Sequence, residues 1–181
     1  PDGPHTISVR AVDPANNPDP TPDSRSIIID TTAPDTTIDT GPGAFTNDDT
    51  PELTFSSDDM GASFQCRVDG GSFQSCTSPF TTSQLSEGSH TVQVRAIDTA
   101  GNIDPTPASR TFVVDTLEPE TTITDGPSGD IPDDTPTFEF TSDEAGSTFE
   151  CRIDTDPFAS CTSAFTAPSL SDGAHTFEVR A

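Results

Sequence analysis

Four cysteines carry the most defined chemistry in this chain. Cys66 and Cys76 stand in a C-x9-C spacing, and Cys151 and Cys161 repeat it. The intervening RVDGGSFQS reads as a hairpin that sets the two sulfurs opposite each other. Neighbouring strands offer the Cα separation of roughly 5.5 Å that a disulfide needs. A bridge across so short a loop adds about 2–3 kcal/mol in the chain-entropy account. The rival chemistry is zinc binding, but C-x9-C with one distant histidine lacks the usual ligand spacing. Disulfides imply an oxidising, extracellular or surface location.

Carboxylates are the second candidate. The chain has 31 acids, 23 of them Asp, and many fall in loops. The segment AIDTAGNIDPTP holds Asp98, Asn102 and Asp104, and the earlier AVDPANNPDPTP holds Asp13, Asn17 and Asp19. The three oxygen-bearing residues persist while their neighbours change. If each repeat is a small β domain, this loop lies beside the linker from the preceding domain, which carries Asp30 and, one copy later, Asp115. Hard oxygen ligands converging on a domain junction suit Ca²⁺, which takes about 6–8 of them. The alternative is that Asp and Asn bond to their own backbone in turns, with a solvated acidic surface keeping the array soluble. No other cofactor is implied.

Histidines and arginines point to structure. His5, His90 and His175 share one position, after a turn and before a strand. Neither a nucleophile nor an orienting acid is patterned around them, as catalysis would require. A histidine bonding to a turn backbone is the expectation. Arg10, Arg95 and Arg180 are expected on the outer face of their strand, paired with acids on the neighbouring strand and lying along the sheet. With so many acids, finding two for glycosidase chemistry carries no information. No enzymatic activity is expected.

The elements that position these residues follow from a repeat. HTISVRA, HTVQVRA and HTFEVRA recur at 85-residue intervals, as do the cysteines. Aligning 12–96 on 97–181 needs no gap and leaves 44 of the 85 positions identical. A period this long suits one small β domain per repeat. Composition alone would suggest disorder, since the net charge is −24 and Phe, Leu, Ile and Val are few. The apolar residues alternate, however. A short strand is expected near Thr36–Ile38, followed by a Gly-, Pro- and Asp-rich loop. Leu53 and Phe55 mark a second strand, and Phe64, Cys66 and Val68 a third. Phe73 and Cys76 mark its return, and SPFTTSQL a fifth. Val92, Val94 and Ala96 line a sixth, and Phe112 and Val114 a seventh. Period-2 burial with frequent turns predicts an all-β fold of tandem antiparallel β-sandwiches, about seven strands per 85-residue repeat.

The domain reading is 1–30 as the last two strands of a partial repeat, 31–115 as a complete domain, and 116–181 as a domain lacking its last strand. The chain phase suggests a window on a longer array, or partial domains completed by neighbouring chains through strand addition. Short linkers with Pro34 and Pro119 are expected to hold neighbours semi-rigidly. All seven bases are arginine. The charge excludes a basic patch for nucleic acid, and no apolar run reaches the roughly 18 residues of a membrane helix. Without lysine, no Lys–Asn isopeptide crosslink forms.

The motifs F-x-C-R-[VI]-D…F-x-S-C-T-S, L-S-[DE]-G-x-H-T-x-x-V-R-A-x-D and GN-x-DPTP-x-S-R-x-F-x-[VI]-D-T together resemble a bacterial Ig-like repeat of large secreted and cell-surface proteins. The resemblance spans the chain. It implies a tandem Ig-like array in a fibre, stalk or adhesin, with further copies of the repeat as partners. The interdomain calcium of some Ig-like adhesin stalks would fall on Asp30, Asp98, Asn102 and Asp104. The leading expectation is a structural module of an extracellular bacterial fibre or cell-surface stalk, assembling into filaments in one variant. The alternatives are adhesin repeats binding glycan or protein, which the lack of Trp and Tyr disfavours, and an accessory region of a larger secreted enzyme.

Overall fold

The computed structural model describes all 181 residues. It is all-β and holds no helix, so no helix is long and apolar enough to cross a membrane. The chain forms two compact units, Pro1–Thr116 and Leu117–Ala181. Residues 1–30 fall within the first of these units.

The first unit begins with a hairpin of β1 (Gly3–Val9) and β2 (Asp23–Ile29). A sandwich follows. One sheet has the order β3 (Thr36–Thr40), β5 (Glu52–Ser57), β8 (Phe80–Thr81). The facing sheet has the order β4 (Phe45–Thr46), β10 (Ala108–Val114), β9 (Gly88–Ile97), β6 (Ser63–Val68), β7 (Gln74–Cys76). The second unit repeats most of this. β11 (Thr121–Asp125), β12 (Thr137–Ser142) and β15 (Phe165–Thr166) form one sheet. β14 (Ala159–Cys161), β13 (Phe149–Ile153) and β16 (Phe177–Arg180) form the other.

Side-chain alternation explains the pattern. In β9 the inward residues His90, Val92, Val94 and Ala96 are buried, while their neighbours are only partly covered. Val92 and Val94 meet Leu53 and Phe55 of β5, Cys66 of β6, and Phe112 and Val114 of β10 in one core. Each such side chain taken out of water contributes about 1.5–3 kcal/mol. All seven expected strands of the complete repeat are present. β4 is an addition, lying where a loop was expected. Its Phe45 is exposed, and it is held parallel to β10 by backbone bonds from Val113 N to Ala44 O and from Asp115 N to Thr46 O, both 2.9 Å.

The turn between β6 and β7 is tight. Asp69 and Gly70 both have positive φ (50° and 72°), and Gly71 N donates to Val68 O at 3.0 Å. Two consecutive positive φ values match the right-handed twist of the flanking strands. The disulfides Cys66–Cys76 and Cys151–Cys161 span this hairpin and its copy, with Cα atoms 5.8 Å apart in each. The register corrects one detail. Cys66 faces Gln74 and Cys76 faces Phe64, so the sulfurs bridge a diagonal and are not directly opposite.

Candidate functional site

Three loops of the first unit bring carboxylates together. Asp30 follows β2, Asp59 follows β5 and Asp98 follows β9. One oxygen from each lies within 4.8 Å of the others. Asp98 is buried and the other two are half-buried. Burial pushes the Asp98 carboxyl up, but the Asn102 side-chain amide and the N–H groups of its loop outweigh this and hold it below the usual carboxylate range. Asp98 therefore stays ionised beside two further carboxylates. Three carboxylate oxygens so close together are donors of the type that Ca²⁺ takes.

Asn102 locks this arrangement. Its backbone N–H donates to Asp98 Oδ1 at 2.8 Å and its Nδ2 to Asp98 Oδ2 at 2.7 Å. The same Nδ2 reaches Asp30 O at 3.1 Å, tying the loop to the linker. Asn102 thus positions the carboxylates through its nitrogen. The earlier copy shows the same clasp, with Asn17 N and Nδ2 on Asp13 at 2.8 and 3.0 Å.

Asp104 lies elsewhere. It is 1% exposed. Its Oδ2 accepts from the Thr36 hydroxyl at 2.6 Å, and Oδ1 accepts from Thr106 N and Oγ1 at 2.7 and 3.1 Å. Thr36 Oγ1 in turn accepts from Ala96 N at 2.8 Å. This buried network ties β3 to β9 and the loop after it. Asp19 makes the matching pair of bonds with Thr21, at 2.8 and 3.0 Å. Asp115 places its N–H on Thr46 O, in the β4–β10 pairing. Of the residues expected around calcium, the structure brings Asp30 and Asp98 together, with Asn102 behind them. Asp13, Asn17 and Asp19 make the turn bonds of their own loop, as Asp98 and Asn102 do, and Asp104 turns into its separate network. Asp59 was missed. Its signal was an acid at the same repeat position in both copies, Asp59 and Glu144.

His90 forms a second polar cluster. Its Nδ1 donates to Asp69 Oδ2 at 2.7 Å and its Nε2 to Ser86 O at 2.8 Å. Both ring nitrogens face acceptors, an arrangement that favours the doubly protonated imidazolium. The Asp69 bond, then the Ser86 carbonyl, raise its pKa against the effect of burial. Burial pushes Asp69 up, but the bond from His90 and the N–H of Thr91 hold it low. His175 copies this clasp with Asp154 and Ser171 O at 2.8 and 2.9 Å. The raised histidine pKa adds stability that is complete below the unfolded value of about 6.5. That stability is lost as pH rises through the folded value. The lowered aspartate pKa adds stability above about 3.9, lost on acidification. The melting temperature should therefore fall from pH 6 towards pH 9. Thermal melts of a His90→Gln, His175→Gln double variant should lack that slope.

The outer face carries a cation–π stack. Arg67 and Arg95 lie 4.4 and 4.0 Å from the Phe73 ring, and each donates to a cross-strand glutamine, Gln93 and Gln65. In the second unit Arg152 and Arg180 flank Phe158 and pair with Glu178 and Glu150 at 2.7 and 2.6 Å. The expected acid partners are present there, whereas the first unit uses glutamine.

The family described as the bacterial Ig-like domain matches residues 24–116, which takes in β2, the linker and the whole first sandwich. The chain belongs to the bacterial Ig-like domain family. No curated protein matches it. As a bacterial Ig-like domain with two hairpin disulfides, it has the make-up of a structural module typical of extracellular or surface proteins.

Proposed function

We propose that this chain is a non-catalytic spacer in an extracellular bacterial fibre or cell-surface stalk, working alongside further copies of its own repeat. The observation that carries the reading is the tie between the β1–β2 hairpin and the sandwich that follows. Asn102 holds Asp30 O, and Asp2 accepts from the Thr31 and Thr32 hydroxyls at 2.8 and 3.0 Å. The linker after β2 is thereby held on both sides, to the start of β1 by Asp2 and to the sandwich loop by Asn102, and the same ties at every junction would stiffen an array. A surface of net charge −24 keeps neighbouring rods apart. Electron microscopy of native material with calcium present tests this. Uniform filaments with a repeating subunit, or thin straight stalks, support it. Freely coiling strands would refute it.

Calcium belongs to this reading as a stiffener. Bound to Asp30, Asp59 and Asp98, it would offset two of the three negative charges crowded at the junction of linker and sandwich, with water supplying the other ligands. An ion that binds only the folded state adds about 2.7 kcal/mol at a hundredfold excess over Kd. Calcium should raise the melting temperature over that in EDTA, and Asp59→Asn should abolish the increment. Equal melting temperatures in calcium and EDTA would remove the ion from the account.

A further inference from the structure

The two sides of the first sandwich differ in charge. The strands of the five-stranded sheet, β4, β10, β9, β6 and β7, hold no Asp or Glu, in a chain where 31 of 181 residues are acids. The outer face of this sheet presents Arg67 from β6 and Arg95 from β9. Both bond to neutral amides. Arg67 Nε donates to Gln93 Oε1 at 2.9 Å, and Arg95 Nε and Nη2 donate to Gln65 Oε1 at 3.0 and 2.7 Å. The ion pairs of the protein lie elsewhere, so two guanidinium charges stand here without a carboxylate to offset them. The opposite sheet, β3, β5 and β8, holds no base and exposes Asp39 and Glu52. Ser56 Oγ donates to Asp39 Oδ1 at 3.0 Å, which sets Asp39 on the outer side that Glu52 and Ser56 share by alternation along β5.

The second unit shows what such an arginine pair takes. One period on, Gln65 and Gln93 become Glu150 and Glu178. Glu150 Oε2 accepts from Arg180 Nε and Nη2 at 2.9 and 2.6 Å, and Glu178 Oε2 accepts from Arg152 Nη2 at 2.7 Å. Arginines flanking the same phenylalanine position there bind two carboxylates of their own sheet. The first unit keeps the arginines and omits the carboxylates. A third position changes in the same direction. Phe45, 74% exposed and paired with Val113, stands where the second unit has Asp130. Arg67 and Arg95 already lie 4.4 and 4.0 Å from the Phe73 ring. Their forks are thus fixed before a partner arrives, and little side-chain freedom is lost on binding. Arginine and aromatic side chains on a face cleared of Asp and Glu match the composition of protein contact surfaces.

We propose that this face of the first unit docks the acidic face of a second copy of the chain, whose Asp39 and Glu52 seat on Arg67 and Arg95. Charge selects the occupant. The chain's own opposite face supplies carboxylates and no base, and an arginine fork matches a carboxylate in shape as well as sign. The net charge of −24 repels copies in other orientations, and this repulsion is screened beyond about 8 Å at physiological ionic strength. Repulsion therefore selects the one orientation that sets arginine against acid. The outer faces of the two sheets point away from each other, so the contact joins unlike surfaces and adds copies side by side without closing. It goes beyond the spacer reading, which needs no contact between chains.

Sedimentation of the whole chain at rising concentration tests the contact. The average mass should climb above that of the 19.0 kDa monomer. Gln65→Glu with Gln93→Glu imports the second unit's carboxylates and should return the chain to monomer. Its melting temperature should not fall, because Glu150 and Glu178 fill the same positions in a folded sheet. Asp39→Asn with Glu52→Gln should also give monomer. A mixture of the two double variants should form a complex of two chains and nothing larger, since one keeps only the acidic face and the other only the arginine face. A wild-type chain that stays monomeric at every concentration overturns the proposal. If its arginine Nε–H signals in NMR then shift with added polyglutamate, the face serves an acidic partner other than this chain. A ladder that survives both double variants overturns the proposal as well. The stalk reading outlives either failure, since microscopy of the native material decides it.

Discussion

Phe112→Ala should be the most damaging single truncation in the first sandwich, lowering its stability by about 3–5 kcal/mol. The ring is 1% exposed and packs with Leu53, Phe55, Cys66, Val92, Val94 and Val114. Removing it deletes one of the two buried phenylalanine rings of that core. Both surrounding strands are clamped, β10 between β9 and β4, and β9 between β10 and β6, so the site cannot collapse around the void. In a domain of this size each kcal/mol shifts the midpoint by about 4–8 °C, so a fall on the order of 15–30 °C is expected. Natural domains hold only about 5–15 kcal/mol, which brings the variant close to unfolding at ordinary temperature. Ile27→Ala is the internal comparison. It changes the same repeat position, yet Ile27 lies on an exposed hairpin, and the cost should stay within about 0.5 kcal/mol. The chain has neither Trp nor Tyr, so the melts should be followed by far-ultraviolet circular dichroism or calorimetry. A Phe112→Ala loss no greater than that of Ile27→Ala would mean that the core is not where the structure puts it.

What the sequence disclosed depended on whether side chains or backbone do the work. β5, β9 and β10 were legible because Leu53/Phe55, Val92/Val94/Ala96 and Phe112/Val114 alternate in and out of the core, and alternation is a local property. β4 was not legible. Phe45 faces solvent, and the strand exists because two carbonyls find the amides of β10, a partner more than sixty residues away. The C-x9-C pairs revealed their bridges, but not their diagonal register, which the turn at Asp69-Gly70 sets. The acidic loops were half legible. Asp98 and Asn102 announce a turn clasp by spacing alone. That Asp98 also meets Asp30 and Asp59 is decided by three separate loops converging, and no local pattern records it. An acid at one repeat position in both copies, Asp59 and Glu144, was the available hint. Asp104 reads from sequence like Asp98. It turns inward only because Thr36, on a different strand and in the other sheet, offers it a hydroxyl.

That difference gives the second large effect: Asp104→Ala should cost about 3 kcal/mol in EDTA, where no metal contributes. The substitution leaves the buried Thr36 hydroxyl without its acceptor and the Thr106 N–H without its bond. An orphaned buried group costs about 1–3 kcal/mol. Thr36 would still accept from Ala96 N, so the loss is graded and the fold survives. Burial alone would push this carboxyl up, but the Thr36 hydroxyl and the Thr106 groups hold it below the ordinary range. The stability it adds is present above about pH 3.9 and lost as pH falls through the folded value. Asp104→Ala should therefore flatten the acid limb of the stability curve as well as lower its plateau. Asp59→Asn should behave in the opposite way. It removes one of three crowded like charges, so stability in EDTA should hold or rise, while the increment from calcium disappears. Melting both variants with and without calcium separates two aspartate roles that look alike in sequence. If Asp104→Ala lost the calcium increment and kept its stability in EDTA, Asp104 would be a ligand and the Thr36 network incidental. If Asp59→Asn weakened the protein in EDTA, the triad would be a hydrogen-bonded structural cluster rather than a cation site.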